Sequence, residues 1–321
     1  MDPPATIRPA PPPPPPRTDQ PFEPYPSPSR LTLATRSHTQ GAFHISARKL
    51  PILKAGPIDA MAARLRIPVP EMIFGDNLVC VAHPRTGWSV SFGAEAALDT
   101  VDKTGAGGML RVAHATAWSS SRERSGATAG ISEVVRPFDW SYSARYLGDE
   151  VRAADGRGLE ARTRRGGGKT AEGKGDGDGD ENGEEEEVAI PVELLKRRDP
   201  ILFADEVVLY ESELDDNGIS VMSVKFRVME QRMLLLCRLF MRLDGVLVRV
   251  RDTRVYVDFE KELVIREYTA REDTFDNVKQ LYLSGLMPDA ITAALRDSNQ
   301  VVNLLPVVES CVDSVCLAPK S

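Results

Sequence analysis

Five consecutive residues, Gly166-Gly167-Gly168-Lys169-Thr170, are of the types that cradle a nucleotide phosphate between glycine amides and a lysine. That pattern needs a glycine five positions before Gly168, where Thr163 stands, and a charged glycine-rich stretch follows where a helix should open. Nearby, Asp176, Asp178, Asp180 and Glu187 take the first, third, fifth and twelfth places of a calcium loop, but Glu181 occupies the sixth, where the sharp turn needs glycine. A solvated acidic linker accounts for these carboxylates more simply than a cation site. The four histidines, His38, His44, His83 and His114, stand singly, without the H-x-x-x-H or H-E-x-x-H spacing of a zinc hydrolase. Cys80, Cys237, Cys311 and Cys316 lack the close C-x-x-C spacing of a zinc knuckle and suit free thiols in a reduced compartment. No metal and no cofactor is expected.

Two further readings compete. An enzyme could assemble its site from distant residues such as Asp76, His83, Asp139 and Asp244, although Asp244 beside Gly245 reads more simply as a turn residue. A basic sheet face carrying Arg238, Arg242, Arg249, Arg251 and Arg254 could hold a nucleic acid. Stacking aromatics are sparse on it, and the net charge of −7 opposes non-specific attraction to phosphate backbones.

The elements that would position any such group are legible from periodicity. Prolines crowd the first thirty residues, and residues 1–38 are expected to be a disordered tail with order beginning near Gly41. Pro11 to Pro16 would serve an SH3- or WW-type partner, or simply be solvated. Phe43, Ile45 and Ala47 alternate as in a strand. Pro57 opens a helix with Ile58, Met61, Ala62 and Leu65 on one face, ended by Pro68. Leu78 to Val81 and Trp88 to Phe92 form a hairpin about a Pro84–Gly87 turn. Ala94 to Val101 is a helix candidate and Met109 to Trp118 a strand candidate. Residues 150–187 read as a disordered glycine-rich, acidic insert, with 155–187 dispensable for folding.

After the insert the pattern is clearest. Phe203 to Leu214, an Asp215-Asp216-Asn217-Gly218 turn and alternating Met222, Val224, Phe226 and Val228 make a hairpin. Leu235 to Leu243 alternates with Arg238 and Arg242; after Asp244-Gly245, Val246, Val248 and Val250 alternate with Arg249 and Arg251. Val255 to Phe259 and Leu263 to Tyr268 complete an antiparallel meander, with its valines expected on a buried face and its arginines on a polar one. The last fifty residues look more helical: Pro288-Asp289 starts a helix, and Leu304 to Val315 has no clean period. The proline-rich start does not resemble a secretory signal, and the longest apolar run, Met233 to Val250, carries Arg238, Arg242 and Asp244. A protein of the cytoplasm, the nucleus or both is expected, with no membrane partner.

Several strings then resemble one family in order along the chain: Pro70 to Asn77, Arg136 to Tyr142, Tyr210 to Gly218, Arg242 to Leu247, Asp252 to Tyr256 and Arg266 to Thr269. They are similar to signatures of the TIPRL family, TOR signalling pathway regulators that bind type 2A protein phosphatases. The resemblance covers Gly41 to about Val315. It implies an α+β fold of mainly antiparallel sheets, meander- or sandwich-like with a few peripheral helices. One domain would run through residues 39–149 and 188–316, with 317–321 a terminal tail. It also implies a non-catalytic regulator that docks on the catalytic subunit of type 2A-like serine/threonine phosphatases, with a phosphatase-associated regulatory subunit of the TOR pathway as a further partner and no nucleic acid. Family contacts map onto Ile190, Val250 and Asp252, and Arg254 joins them as a neighbouring arginine. A fourth family contact is acidic where this chain has Ala96. A rigid sheet would present Asp252 and its arginines from a turn, with Val250 supplying apolar contact.

Overall fold

The structure, a computed structural model, describes residues 27–101, 103, 142–161, 188–214, 218–282 and 284–319. The strand expected at Met109 to Trp118, the phosphate-loop and calcium-loop look-alikes, His114 and Asp139 lie outside the described residues.

The meander forms the larger of two antiparallel sheets, ordered β3-β8-β9-β10-β11-β12-β13-β7. Its long strands are β8 (Phe203–Ser212), β9 (Gly218–Val228), β10 (Arg232–Leu243), β11 (Leu247–Asp258), β12 (Leu263–Thr274) and β13 (Val307–Cys316). Side chains alternate across a strand, so Met222, Val224, Phe226 and Val228 bury on one face while Lys225 and Arg227 meet solvent on the other. At Asp244-Gly245 the chain turns with Gly245 at φ 73°, a conformation that favours glycine.

The register of that turn buries the valines as expected but overturns the expectation that only one face of the meander is buried. Leu243 pairs with Leu247, which sets Val248 opposite Arg242 and Val250 opposite Phe240. Residues paired across a ladder project to the same side. Val248 and Val250 therefore lie on the face away from the main core, and Arg249 and Arg251 share the inner face with Cys237, Leu239 and Met241. The arginine row is thus divided: Arg238, Arg242 and Arg254 point one way, Arg249 and Arg251 the other. Furthermore, β11 is one unbroken strand of 12 residues, with apolar groups buried on both of its faces.

The second sheet, β1-β2-β4-β5-β6, comprises β1 (Thr35–Gln40), β2 (Phe43–Arg48), β4 (Leu78–His83), β5 (Trp88–Gly93) and β6 (Asp149–Val151). The β4–β5 hairpin turns at residues 84–87 as its sequence indicates. Helix α1 (Pro28–Leu33) precedes β1, which pairs with β2 along its length. Order therefore begins well before Gly41. Helix α2 (Ala55–Leu65) buries Met61 and Leu65 and ends at Arg66, in the left-handed conformation, two residues ahead of Pro68. Helix α3 (Ala94–Asp99) follows β5.

The start of the insert also belongs to the fold. β6 extends the smaller sheet, and β7 (Glu160–Ala161) pairs with β13. Arg157 donates to the Cys316 and Ala318 carbonyls at 2.9 and 2.8 Å, and Leu159 is buried. Residues 155–161 are accordingly structural, contrary to the expected dispensability of 155–187. β13 is the other surprise. Its outer half is exposed and its inner half buried on consecutive positions, which erases the alternation that reveals a strand.

One continuous core unites the sheets, drawing Phe43, Val81, Trp88 and Phe92 from the smaller and Val224, Leu235, Val257 and Val264 from the larger. Polar ties cross the seam. Arg36 and Lys49 both pair with Asp205 of β8, at 3.1 and 2.9 Å. Asn77, only 4% exposed, accepts from the Leu50 amide at 2.6 Å and donates to the Val208 carbonyl at 2.7 Å. The two-residue β3 (Met72–Ile73) pairs with β8 just upstream. Asn77→Ala would leave that buried amide and one lobe of the carbonyl without a partner, a loss of about 1–3 kcal/mol. A urea titration should show a lower midpoint for this variant with an unchanged slope.

Candidate protein-binding face

The outer face of the larger sheet divides into three zones, and the four residues Ile190, Val250, Asp252 and Arg254 fall within them. Along β11 the outward positions run Val248, Val250, Asp252, Arg254 and Tyr256. Apolar ends flank a charged middle.

The first zone is covered by the chain between β12 and β13. Helix α5 (Phe275–Asn277) is capped by Thr274, whose hydroxyl accepts from the Asn277 amide, and runs into a π-helical turn at Val278–Tyr282. Helix α6 (Pro288–Ala294) starts on a proline in its first turn, and α7 (Ser298–Val301) is capped by Asp297. Together they lay Val278, Ala294, Leu295, Val301, Val302 and Leu305 over Phe240, Val248 and Val250. The third zone is covered by the segment that re-enters the fold after the insert. Ile190, with Val188 and Leu195 beside it, packs on Tyr256, Ile265 and Val312, and helix α4 (Val192–Leu195) closes the patch.

Between them runs a strip of charge. Arg238 grips Asp252 with two parallel bonds, Nε to Oδ1 and Nη2 to Oδ2, both 2.7 Å. Such fork-to-fork geometry is the strongest pairing available to these groups and compensates for taking a carboxylate out of water. Arg254 approaches Asp252 Oδ2 at 3.6 Å and donates to Glu267 at 3.1 Å. The remaining Nη1 of Arg238 reaches up to Ser298 Oγ at 3.3 Å and Asn299 Oδ1 at 3.0 Å, which ties the strip to the helical cover.

These positions share one face, but they are not all surface. Ile190 is 6%, Val250 0% and Asp252 2% exposed. Asp252 lies mid-strand and not in a turn. Among the four, only Arg254 offers a substantial surface, its side chain 39% exposed. Ala96 is on α3, packed against the main core, away from this face. Arg238 gained its meaning only in three dimensions, since its partners are 14 and 60 or more residues away. No local pattern announces Ser298 or Asn299 as its neighbours, or Glu267 as the partner of Arg254.

The dispersed-enzyme arrangement does not assemble among the described residues. Asp76 precedes β4 and His83 ends it, about 20 Å apart at strand spacing. His83 is buried, with Nδ1 2.9 Å from the Thr86 hydroxyl and Nε2 3.3 Å from Glu262. Burial holds its pKa below the ordinary value, against the opposing pull of Glu262. Asp244 pairs with Arg242 at 2.7 Å in the β10–β11 turn. His83 and Asp244 thus have structural partners, and at Asp76 the backbone carbonyl accepts from Arg48 Nε at 2.7 Å. No group of three or more His, Cys, Asp or Glu among the described residues could hold a metal ion.

Removing one member of the Arg238–Asp252 pair strands the other. Arg238→Ala should destabilise the protein by about 3–5 kcal/mol, and Asp252→Asn by less, because an amide still accepts one guanidinium bond. A double-mutant cycle followed by chemical denaturation should return a clear coupling energy between the two positions; additive effects would contradict the pairing.

The chain matches the model of the TIP41-like family over residues 72–279. It is 35% identical over 300 residues to the type 2A phosphatase activator TIP41 of Saccharomyces cerevisiae, an alignment covering 88% of this chain and 76% of that protein. With the TIP41-like protein of Homo sapiens it shares 33% identity over 276 residues, 86% of this chain and 87% of the relative. The type 2A phosphatase activator tip41 of Schizosaccharomyces pombe is 29% identical over 256 residues, 79% and 87% of the two chains. With two antiparallel sheets, this order of motifs and these relatives, the chain belongs to the TIP41-like family.

Proposed function

We propose that this protein is a non-catalytic regulator that binds the catalytic subunit of type 2A-like serine/threonine phosphatases in TOR signalling, working in the cytoplasm and also in the nucleus. Relatives named as type 2A phosphatase activators support regulation of such a phosphatase. The observation that carries the binding mode is the gathering of Ile190, Val250, Asp252 and Arg254 on one outer sheet face, in two apolar zones and the charged strip between them.

In this reading Arg254 meets the partner directly. Asp252 holds Arg238 and Arg254 in place from below, while Val250 and Ile190 anchor the two covers that shape the rims of the surface. A charged centre with restrained side chains loses little conformational entropy on docking and confers orientation. The non-catalytic part of the proposal is supported by the separation of Asp76, His83 and Asp244 on different elements. The division of the arginines between two faces, with Arg238, Arg249 and Arg254 each paired to a carboxylate, favours a protein partner over a nucleic-acid backbone.

Affinity purification of the tagged chain from its native cell should recover a type 2A-like catalytic subunit as the main stoichiometric partner. Arg254→Ala should reduce that recovery about ten-fold while leaving the melting temperature within a degree or so of wild type, as expected for a half-exposed interface side chain. Full recovery by the variant would remove this face from the interface. Absence of any such phosphatase from the wild-type preparation would remove the function.

A further inference from the structure

Beyond the patch around Ile190, the outer face of the larger sheet continues over the start of β8, the end of β9 and the start of β10. Arg227 stands opposite Ala204 and Leu234, and Lys225 opposite Glu206 and Leu236, so all six side chains share this face. Ala204, Glu206, Lys225 and Arg227 are exposed, and the two leucines are half-buried. Two hollows open here, of about 240 Å³ and about 450 Å³. Arg227 and Leu234 line both, which makes them one groove. Its apolar lining is aliphatic: Leu195 from the end of α4, Met229, Leu234 and Leu236, with Ile201 55% exposed beside them.

The charge around the groove is unbalanced. Lys196, Arg197, Arg198 and Arg227 line the smaller hollow, where Asp199 is the single carboxylate among the described residues. Asp199 is already held by the buried Arg232 and by Arg197 at 3.5 Å. In the larger hollow Asp205 is bound by Arg36 and Lys49, and Glu206 pairs with Lys225 at 3.0 Å. Every carboxylate of the groove is therefore engaged. Arg198 and Arg227, both exposed, have neither an ion pair nor a hydrogen bond among the described residues. Two unpaired guanidinium groups thus stand over an aliphatic lining. A nucleic acid would need aromatic faces on which to stack its bases, and Phe226 buries its ring in the main core against Phe203 instead. A small inorganic anion would leave the leucines and Ile201 uncovered. Carboxylate side chains interleaved with aliphatic ones satisfy both halves of the groove.

We propose that this groove docks a short acidic segment of a partner protein, with its carboxylates on Arg198 and Arg227 and its aliphatic side chains on Ile201, Leu234 and Leu236. The proposal does not rest on the phosphatase reading, because it uses none of Ile190, Val250, Asp252 and Arg254.

A fluorescein-labelled Glu-Leu-Glu-Glu-Leu-Glu peptide serves as the probe, titrated with the full-length chain at physiological ionic strength and followed by anisotropy. Saturable binding is expected, with a loss of about ten-fold when glutamine replaces glutamate in the peptide and a similar loss when serine replaces leucine. Arg198→Gln and Arg227→Gln should each weaken binding about five-fold, and Ile201→Ser should act in the same direction. All three side chains are exposed, so the melting temperatures should stay within a degree or so of wild type. Arg64→Gln, at an exposed arginine of α2, should leave the affinity unchanged. Absence of saturable binding would overturn the proposal, as would equal affinity in wild type and the Arg198→Gln, Arg227→Gln double variant. Tighter binding after replacing Glu184, Glu185, Glu186 and Glu187 by glutamine would also overturn it, by making this chain's own acidic run the occupant. An oligothymidylate strand that competes with the peptide at equal or lower concentration would assign the groove to nucleic acid instead.

Discussion

Strand β11 has to be covered on both faces, and the rest of the molecule is arranged around that requirement. Its 12 residues place Val255 and Val257 toward the main core, and Val248, Val250 and Tyr256 toward the opposite side. A strand with apolar groups on one face needs one partner layer; this strand needs two. The smaller sheet supplies the inner layer. The helices α5 to α7 and the segment around Ile190 supply the outer one, each over its own apolar patch. In the gap between those two covers sit the paired charges of Arg238, Asp252, Arg254 and Glu267, of which Arg254 reaches solvent.

This arrangement restrains the charges of the outer face. The central charges are restrained by one another and by Ser298 and Asn299 of the cover, so the geometry of the strip and the placement of the cover depend on each other. A partner touching Arg254 would therefore be coupled to residues it cannot itself reach. On the inner side the same strand carries Arg249 and Arg251 beyond the apolar core, so β11 contributes to two polar environments separated only by the thickness of the sheet.

Much of the fold was legible in local pattern. The alternation of Met222, Val224, Phe226 and Val228, the Pro84–Gly87 turn and the helix opening near Pro57 are read from neighbours within a few residues, and the structure has each where the pattern places it. The parity of β11 was not legible, because valines and arginines alternate there and either set could face a core. Which one does depends on Leu243 pairing with Leu247, a property of the turn's register. β13 escaped for another reason: it is covered along only half its length, so its burial has no period of two. β6 and β7 escaped because two or three residues are too few to show any period.

The sequence by itself determined the class of fold, the chain of hairpins and, through its ordered motifs, the family, since these rest on residues close together in the chain. It also named the four residues of the candidate face. Only the tertiary structure decided that Ile190, Val250 and Asp252 lie beneath the surface and that Arg254 reaches it. Burial is set by what packs on top, and here that is supplied by segments tens of residues away, whose approach no local periodicity encodes.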